Sequence, residues 1–202
     1  SIKSINFMLK KYKASINYKK YLLYYGTFEP RKNILYLVKA FIDLQKEGQI
    51  PTDFKLILIG GEGWGLVKKK IKNFLEEEFP LVEQRNIILL DFINDDYLIK
   101  FIQGAYAVVY PSLYEGFGLP VLESMALGTP VISSNTSSLP EVGGHSVLYV
   151  NPWDFFDIKE KMRYLIKNKS FANELSIDGL VQASQFTWED SVNKMMRFLK
   201  SL

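Results

Sequence analysis

The sequence contains no cysteine, which excludes disulfides and thiolate metal sites and fits a protein of the cytoplasm. No signal peptide is visible in these residues, and no apolar run approaches the length of a transmembrane helix. The net charge of +3 is too small to indicate a nucleic-acid-binding protein. Hydrophobic residues make up 48% of the 202 residues, which is enough for the core of one large domain. Because the first residue is Ser1, we expect a piece of a longer protein.

Short apolar runs rich in β-forming residues alternate with segments of helical spacing. Strands are predicted at 21–25, 55–59, 86–90, 107–110, 130–133 and 147–150. Helices are predicted at 33–47, 64–79, from 95, and at 119–127, 155–168, 170–184 and 188–200. This alternation predicts an α/β fold with a doubly wound parallel sheet covered on both faces, followed by a tail of helices.

The segment YYGTFEPRKN at 24–33 predicts a strand that ends at Gly26, a short loop, and a helix that begins near Arg31 and Lys32. Cations at a helix N-terminus oppose the helix dipole, so they fit poorly there for stability alone. A bound anion would explain them, because backbone N–H groups and two cations together hold a phosphate. The alternative, that both side chains point into water, is equally consistent with this segment.

A glycine-rich segment, GGEGWG at 60–65, follows the second predicted strand. Its spacing fails the dinucleotide-binding pattern, because Leu66 stands where the third glycine belongs, and that pattern follows the first strand. We interpret the segment as a tight connection from strand to helix. A hydride-transfer enzyme is therefore a poor fit.

Doubly wound sheets bind ligands at the carboxyl ends of their strands, where the strand order reverses. In the usual order the first and fourth strands are neighbours there. The loop with Arg31 and Lys32 would then face the loop with Ser112, Glu115 and the turn 116–120. Glycines in that turn let backbone approach a ligand closely. These observations favour the anion site over the solvated alternative.

A second carboxylate, Glu123, lies about one turn into the helix predicted at 119–127. A capping role is one explanation, because the helix dipole favours a carboxylate there. The apolar neighbours predict a mostly buried helix, in which the carboxylate needs donors that sugar hydroxyls would supply. Glu115, before the turn, would accept a hydroxyl or face developing positive charge.

Several charged groups have a simpler interpretation beside a functional one. Residues 1–20 hold six lysines and no acid, which suits a helix on an anionic membrane or, as we favour, a solvated helix or linker. KKKIK at 68–72, followed by EEE at 76–78, indicates a solvated helix face. Asp95 and Asp96 are interpreted as helix caps, not a metal pair, because they directly precede an apolar helical pattern.

The stretch EGFGLPVLE places Glu115 and Glu123 eight residues apart. With its surroundings, YPSLYEGFGLPVLESMALGTPVISSNTSSLPEVGG at 110–144, it closely resembles the donor-binding half of retaining GT-B glycosyltransferases of glycosyltransferase family 4 (group 1). GTFEPRKN at 26–33 is similar to that family's phosphate-binding loop. LILIGGEG, FINDDYL, LYVNPWD and FTWEDSV fall where the family has related segments. The resemblance covers about 21–202.

The resemblance implies that residues 21–202 form a C-terminal, Rossmann-like, nucleotide-sugar-binding domain, which is one half of a GT-B fold. Residues 1–20 would be a linker or helix from a preceding domain. The N-terminal acceptor domain would lie outside this chain. The last helix, from Trp188, is expected to cross back to that domain.

The resemblance also implies roles for individual residues. Lys32 would bind the donor diphosphate, Glu123 the ribose hydroxyls and Glu115 the sugar hydroxyls. The family often has an arginine where this chain has Thr27, and Arg31 is expected to supply that cation. The implied catalytic residues are Glu115, Lys32 and Arg31. Phe92, Ile93 and the two glycines at 60–61 would lie near the base of the nucleotide. The full set of implied donor-binding residues is Gly26, Thr27, Arg31, Lys32, Gly60, Gly61, Phe92, Ile93, Ser112, Glu115, Gly116, Phe117, Gly118, Leu119, Pro120 and Glu123.

The implied reaction moves a sugar, mannose or glucose by resemblance, from a GDP-sugar or UDP-sugar to an acceptor with retention. The acceptor would be a glycan or lipid-linked sugar bound through the missing domain. No metal, other cofactor or nucleic acid is expected. The setting would be the cytoplasm, with the inner face of the membrane and peripheral membrane association left open. The only histidine, His145, is interpreted as structural, and this chain alone is expected to transfer little or no sugar.

Two other classes stay open. One is a nucleotide-sugar-binding module or subunit without activity of its own. The other is a different GT-B enzyme, either an epimerase or a phosphorylase, although no segment argues for the pyridoxal lysine that a phosphorylase needs.

Overall fold

The computed structural model describes residues 19–78 and 86–201. The strands within these residues are β1 (Tyr21–Tyr25), β2 (Lys55–Ile59), β3 (Ile87–Leu90), β4 (Ala107–Tyr110), β5 (Val131–Ser134) and β6 (Leu148–Val150). They form one six-stranded sheet in the order β3-β2-β1-β4-β5-β6, and all neighbours are parallel. The predicted α/β fold with a doubly wound parallel sheet is therefore confirmed.

The helices are α1 (Ile34–Lys46), α2 (Val67–Glu78), α3 (Asp95–Gly104), α4 (Leu119–Ala126), α5 (Leu139–Gly143), α6 (Phe155–Lys167), α7 (Lys169–Ala183) and α8 (Trp188–Lys200). The sequence did not predict the short α5. Residues 1–18 and the end of the helix predicted at 64–79 lie outside the described residues, so the hypotheses for the basic segment stay predictions. None of the described helices is long and apolar enough to cross a bilayer.

Both faces of the sheet are covered, as the buried sequence of β1 shows. Leu22 and Tyr24 pack in one hydrophobic cluster with residues of α1, α2 and α6. Tyr21, Leu23 and Tyr25 pack in the other cluster with residues of α3. Successive side chains of a strand point to opposite faces, so a strand apolar at every position must lie between two layers.

The strand order reverses between β1 and β4, as predicted. Leu22 pairs with Ala107 and Leu23 with Val108, so the carboxyl ends of the two strands lie side by side. The loops that follow these strands therefore meet at one edge of the sheet, although they are far apart in the sequence.

The glycines of the 60–65 segment allow two loops to pack closely. A Cβ on Gly60 would lie 1.9 Å from the carbonyl oxygen of Gly26, and φ there is +152°. Phe28 N–H donates to Gly61 O and Gly63 N–H donates to Phe28 O, at 3.0 and 3.2 Å. The segment thus connects β2 to α2 while extending the pairing beside β1, which agrees with its interpretation as a structural connection.

The helix α3 begins differently from the prediction. Its N-cap is Asn94, whose side chain accepts from the N–H of Tyr97 at 3.1 Å. Asp95 and Asp96 lie in the first turn, where the dipole favours carboxylates. Their interpretation as the caps themselves is therefore wrong by one residue.

The helix α8 has no buried residue within the described part of the chain. Its large apolar side chains are exposed on an amphipathic helix, and they are Trp188, Val192, Met195, Met196, Phe198 and Leu199. An apolar face of this size is uncommon on an isolated domain. The expectation that this helix packs on a further domain stays a prediction.

Lys68 corrects the interpretation of the 68–72 run as a solvated face. Its side chain is buried, and Nζ donates to Gly60 O at 2.6 Å, Leu90 O at 2.9 Å and Asp91 Oδ1 at 2.7 Å. The ammonium also lies 5.0 Å from the ring centre of Phe28. It therefore ties the carboxyl ends of β2 and β3 together, whereas Lys69 and Lys70 are exposed.

Replacing Lys68 by Met is expected to lower the free energy of unfolding by about 2 kcal/mol, because buried acceptors lose their donor. Urea unfolding measures this loss. Lys70→Met, an exposed lysine on the same helix, is the control and should change stability by less than about 0.5 kcal/mol. Equal effects of the two substitutions would contradict a bonding role for Lys68.

Candidate functional site

A three-residue ion cluster lies at the carboxyl ends of β1 and β4. Glu115 accepts from Lys32 Nζ through Oε1 at 2.5 Å and from Arg31 Nη1 through Oε2 at 2.9 Å. Arg31 Nε also donates to Glu29 Oε2 at 2.8 Å. Arg31 and Lys32 are therefore bound to carboxylates, and the alternative in which both point into water is wrong.

Lys32 is held in a buried position by the turn that precedes α1. A 3-10 turn, Pro30–Lys32, follows β1, and Asn33 adopts the left-handed conformation at its end. Arg31 and Lys32 thus lie three and two residues before α1 begins at Ile34, close to the predicted helix start, where the dipole of α1 disfavours cations. Lys32 Nζ also donates to the hydroxyl of Tyr110 at 2.7 Å, so the buried ammonium is bonded to a phenol as well as to the Glu115 carboxylate.

Glu115 is ionised by its neighbours. Burial alone raises the pKa of this carboxyl, but the hydrogen bond and charge of Lys32, together with the hydrogen bond of Arg31, outweigh burial and hold the pKa below its ordinary value. A carboxyl with a lowered pKa is a poor proton donor at neutral pH. Chemically it is suited to accept hydrogen bonds or to face positive charge.

The backbone of the loop that follows β4 is fixed from both sides. Leu113 N–H donates to Arg31 O at 2.7 Å, which joins it directly to the loop after β1. On the other side, Glu115 N–H donates to Ser137 Oγ at 3.0 Å. The hydroxyl of Ser138 lies 3.0 Å from Glu115 O and 2.9 Å from Phe117 O. The sequence analysis did not identify these serines.

Glu123 lies on the exposed side of α4, so the prediction of a mostly buried setting is wrong. The helix buries Val121, Ser124 and Met125, whereas Ala126 and Glu123 are exposed. The Glu123 carboxylate accepts from the Tyr25 hydroxyl through Oε2 at 3.1 Å. Partial burial, with the charge of Asp95, raises the pKa of Glu123, and the Tyr25 hydrogen bond offsets part of that rise.

The turn between Glu115 and Glu123 exposes its own residues to the same crevice. Gly118 is the N-cap of α4 with φ of +108°, and a Cβ there would lie 2.6 Å from Leu139 Cδ2, so only glycine fits. Gly116 has open space around its Cα. Phe117 and Leu119 are exposed, and Pro120 lies in the first turn of α4.

The remaining predicted residues follow the carboxyl ends of β1, β2, β3 and β4. Gly26 donates its N–H to Ile59 O, and the adjacent Thr27 is exposed with its carbonyl accepting from Tyr24. Ser112 is fully buried. Phe92 is 82% exposed and follows β3. The neighbouring strand of the sheet, β2, ends just before the glycines at 60–61. Whether Phe92 and Ile93 contact a base stays a prediction.

Two tyrosines that the sequence analysis missed complete the site. Tyr25 ends β1 and contacts Glu123, and Tyr110 ends β4 and contacts Lys32. The signal was available, because a tyrosine in a strand buried on both faces needs a partner for its hydroxyl. In the described part of the chain, no group of three or more histidine or carboxylate side chains could hold a metal ion.

A family model described as glycosyl transferases group 1 matches residues 9–182, which is most of the chain. The chain belongs to this family. It is 36% identical over 201 residues to O-antigen chain mannosyltransferase B of Escherichia coli, a match that covers 96% of this chain and 49% of that protein. It is 33% identical over 175 residues to the serotype-specific mannosyltransferase WbdA of Escherichia coli, covering 86% of this chain and 21% of that one.

The chain thus spans about half the length of the first of these glycosyltransferase relatives and about a fifth of the second. Among solved structures, Anabaena Alr3699/HepE in complex with UDP and glucose superposes with a TM-score of 0.77 at 19% identity. That match covers 100% of this chain and 53% of the other. The sheet and its flanking helices have the Rossmann-like fold of GT-B glycosyltransferases.

Replacing Glu115 by Ala is expected to lower the free energy of unfolding at neutral pH by about 3 kcal/mol, because Lys32 would remain buried without its counter-charge. The folded-state pKa of Glu115 is lowered, so its ionised form stabilises the fold above the ordinary pKa. That contribution is lost as the pH falls through the lowered value. The difference between the two proteins should therefore shrink in acid, which urea unfolding at several pH values measures.

The control for this comparison is Glu160→Ala, which removes an exposed carboxylate paired with Arg163 at 2.6 Å. It should cost less than about 1 kcal/mol. A Glu115→Ala protein as stable as this control would show that the cluster contributes nothing to the fold.

Proposed function

We propose that this chain is the donor-binding half of a retaining glycosyltransferase of family 4. It would bind a nucleoside-diphosphate sugar in the crevice between the loops after β1 and β4. The observation that carries the proposal is the cluster of Arg31, Lys32 and Glu115, with Glu123 beside it at the strand-order reversal. This is the position at which doubly wound sheets bind nucleotides.

The two cations would stabilise the leaving group. As the bond from the sugar to the diphosphate breaks, negative charge develops on the phosphate oxygens and positive charge on the sugar. Lys32 and Arg31 would face the phosphates, together with the backbone at the start of α4. One preorganised contact of this kind is typically worth roughly 3 kcal/mol of barrier. With two cations in this position, we expect no metal ion to be required.

The two carboxylates would bind hydroxyls. The lowered pKa of Glu115 keeps it an acceptor, so it would hold sugar hydroxyls and face the positive charge that develops on the sugar. Glu123, on the exposed side of α4, would accept from the ribose hydroxyls. The base would lie near Phe92 and Ile93, beside the glycines at 60–61.

Mannose is the sugar we propose to be transferred, because both Escherichia coli relatives are named mannosyltransferases. Glucose is the alternative, because the Anabaena structure was solved with UDP and glucose. The acceptor would be a glycan or lipid-linked sugar, as the O-antigen relative suggests, bound outside this chain. A nucleotide-sugar-binding subunit without activity of its own is the second candidate.

Calorimetric titration of the chain with GDP and with UDP, both in the presence of a metal chelator, tests the proposal. One nucleotide should bind. Lys32→Ala and Glu123→Ala should each weaken it by about tenfold or more, because each removes a charged hydrogen-bond partner. Thermal unfolding of each variant identifies any loss of binding that comes from loss of the fold.

Lys70→Ala is the matched control, because it removes an equal charge at an exposed position on α2. Its nucleotide affinity should be unchanged. Binding that Lys32→Ala and Glu123→Ala leave intact would place the nucleotide elsewhere, and the proposed donor site would be wrong.

A further inference from the structure

The Tyr25 hydroxyl is buried where β1 meets α4. The residue is 4% exposed, and its phenol oxygen lies 2.8 Å from Pro120 O, 3.1 Å from Glu123 Oε2 and 3.2 Å from Ser124 Oγ. Burial raises the pKa of this phenol well above its ordinary value, so the hydroxyl keeps its single proton at neutral pH. That proton is shared between a backbone carbonyl and the Glu123 carboxylate.

Satisfying the buried hydroxyl does not by itself require Glu123. The carbonyl of Pro120 also receives the hydroxyl of Ser124, at 2.6 Å. With a second donor on that carbonyl, the Tyr25 proton can turn to Glu123 without leaving Pro120 O unpaired. A hydrogen bond to an ionised acceptor is stronger than one to a neutral carbonyl.

Glu123 needs such a contact if it is to bind precisely. Its side chain lies on the exposed side of α4, where a long carboxylate side chain samples several rotamers in water and loses that freedom on binding. Tyr25 holds Oε2 from the strand side, which leaves Oε1 to accept from a ligand. The contact also joins the last residue of β1 to the second turn of α4, so both elements fix the carboxylate.

We propose that Tyr25 is a positioning residue whose phenol orients the Glu123 carboxylate toward the vicinal hydroxyls of the nucleotide ribose. The inference rests on the proposed function and assigns the ribose preference of the site to a buried strand residue. It predicts that removing one buried hydroxyl alters selectivity for a ligand that the hydroxyl does not touch.

Tyr25→Phe tests this inference, because it keeps the ring and its packing and removes only the hydroxyl. Affinities of GDP, UDP and their 2′-deoxy counterparts are measured by calorimetry for the wild-type chain and the variant. The wild-type chain should prefer the ribonucleotide, and Tyr25→Phe should weaken it by about fivefold while changing the deoxynucleotide less than twofold. In a Glu123→Ala background, Tyr25→Phe should have less than a twofold effect on either.

Tyr21→Phe is the matched control, because Tyr21 is a buried tyrosine at the other end of β1 whose hydroxyl donates to Phe101 O at 2.7 Å. It should leave the ratio of ribonucleotide to deoxynucleotide affinity unchanged. Equal weakening of both nucleotides by Tyr25→Phe, or no weakening, would overturn the inference alone. If the wild-type chain bound neither nucleotide, the proposed function and this inference would both be wrong.

Discussion

The direct pairing of β1 with β4 is the constraint on which the candidate site depends. It brings together Arg31 and Glu115, which are 84 residues apart in the sequence. A lysine as deeply buried as Lys32 is tolerated only beside a counter-charge, and Glu115 supplies that charge because β4 is the next strand. The same strand order therefore determines both the fold of the loop after β1 and the position of the Glu115 carboxylate.

Two buried lysines at the same edge of the sheet differ in the partners that hold them. Lys68 is bonded to the backbone carbonyls of Gly60 and Leu90, which cannot move away, and to the exposed carboxylate of Asp91. Lys32 is bonded to the side chains of Glu115 and Tyr110, which can rotate. A ligand anion could replace a side-chain carboxylate but not a backbone carbonyl, so Lys68 would keep two fixed partners, whereas Lys32 is bonded to side chains that can both rotate away.

Sequence periodicity was sufficient for a parallel sheet covered on both faces, and the usual strand order of doubly wound sheets was sufficient for the meeting of the two loops. Prediction from the sequence failed where tertiary contacts determine whether a side chain is buried or exposed. Lys68 was interpreted as solvated although it shares a helical stripe with Ile71 and Leu75, both buried, and a charged residue in that stripe gave no local sign of its carbonyl partners. Glu123 was expected to be buried because the composition of α4 is apolar, yet the helix covers the sheet with only part of its surface.

The charges of the cluster limit how a diphosphate could bind. Arg31 and Lys32 are balanced by Glu29 and Glu115 in the pairs that the structure describes, so the four side chains together are neutral. A diphosphate that took the donors now bonded to Glu115 would displace this carboxylate from at least one cation, because carboxylate and phosphate cannot share the same donors without repulsion. The displaced carboxylate would then be free to accept sugar hydroxyls. In this arrangement the arrival of the phosphates would release one oxygen of Glu115 toward the sugar, and a nucleotide without its sugar would leave that oxygen without a donor.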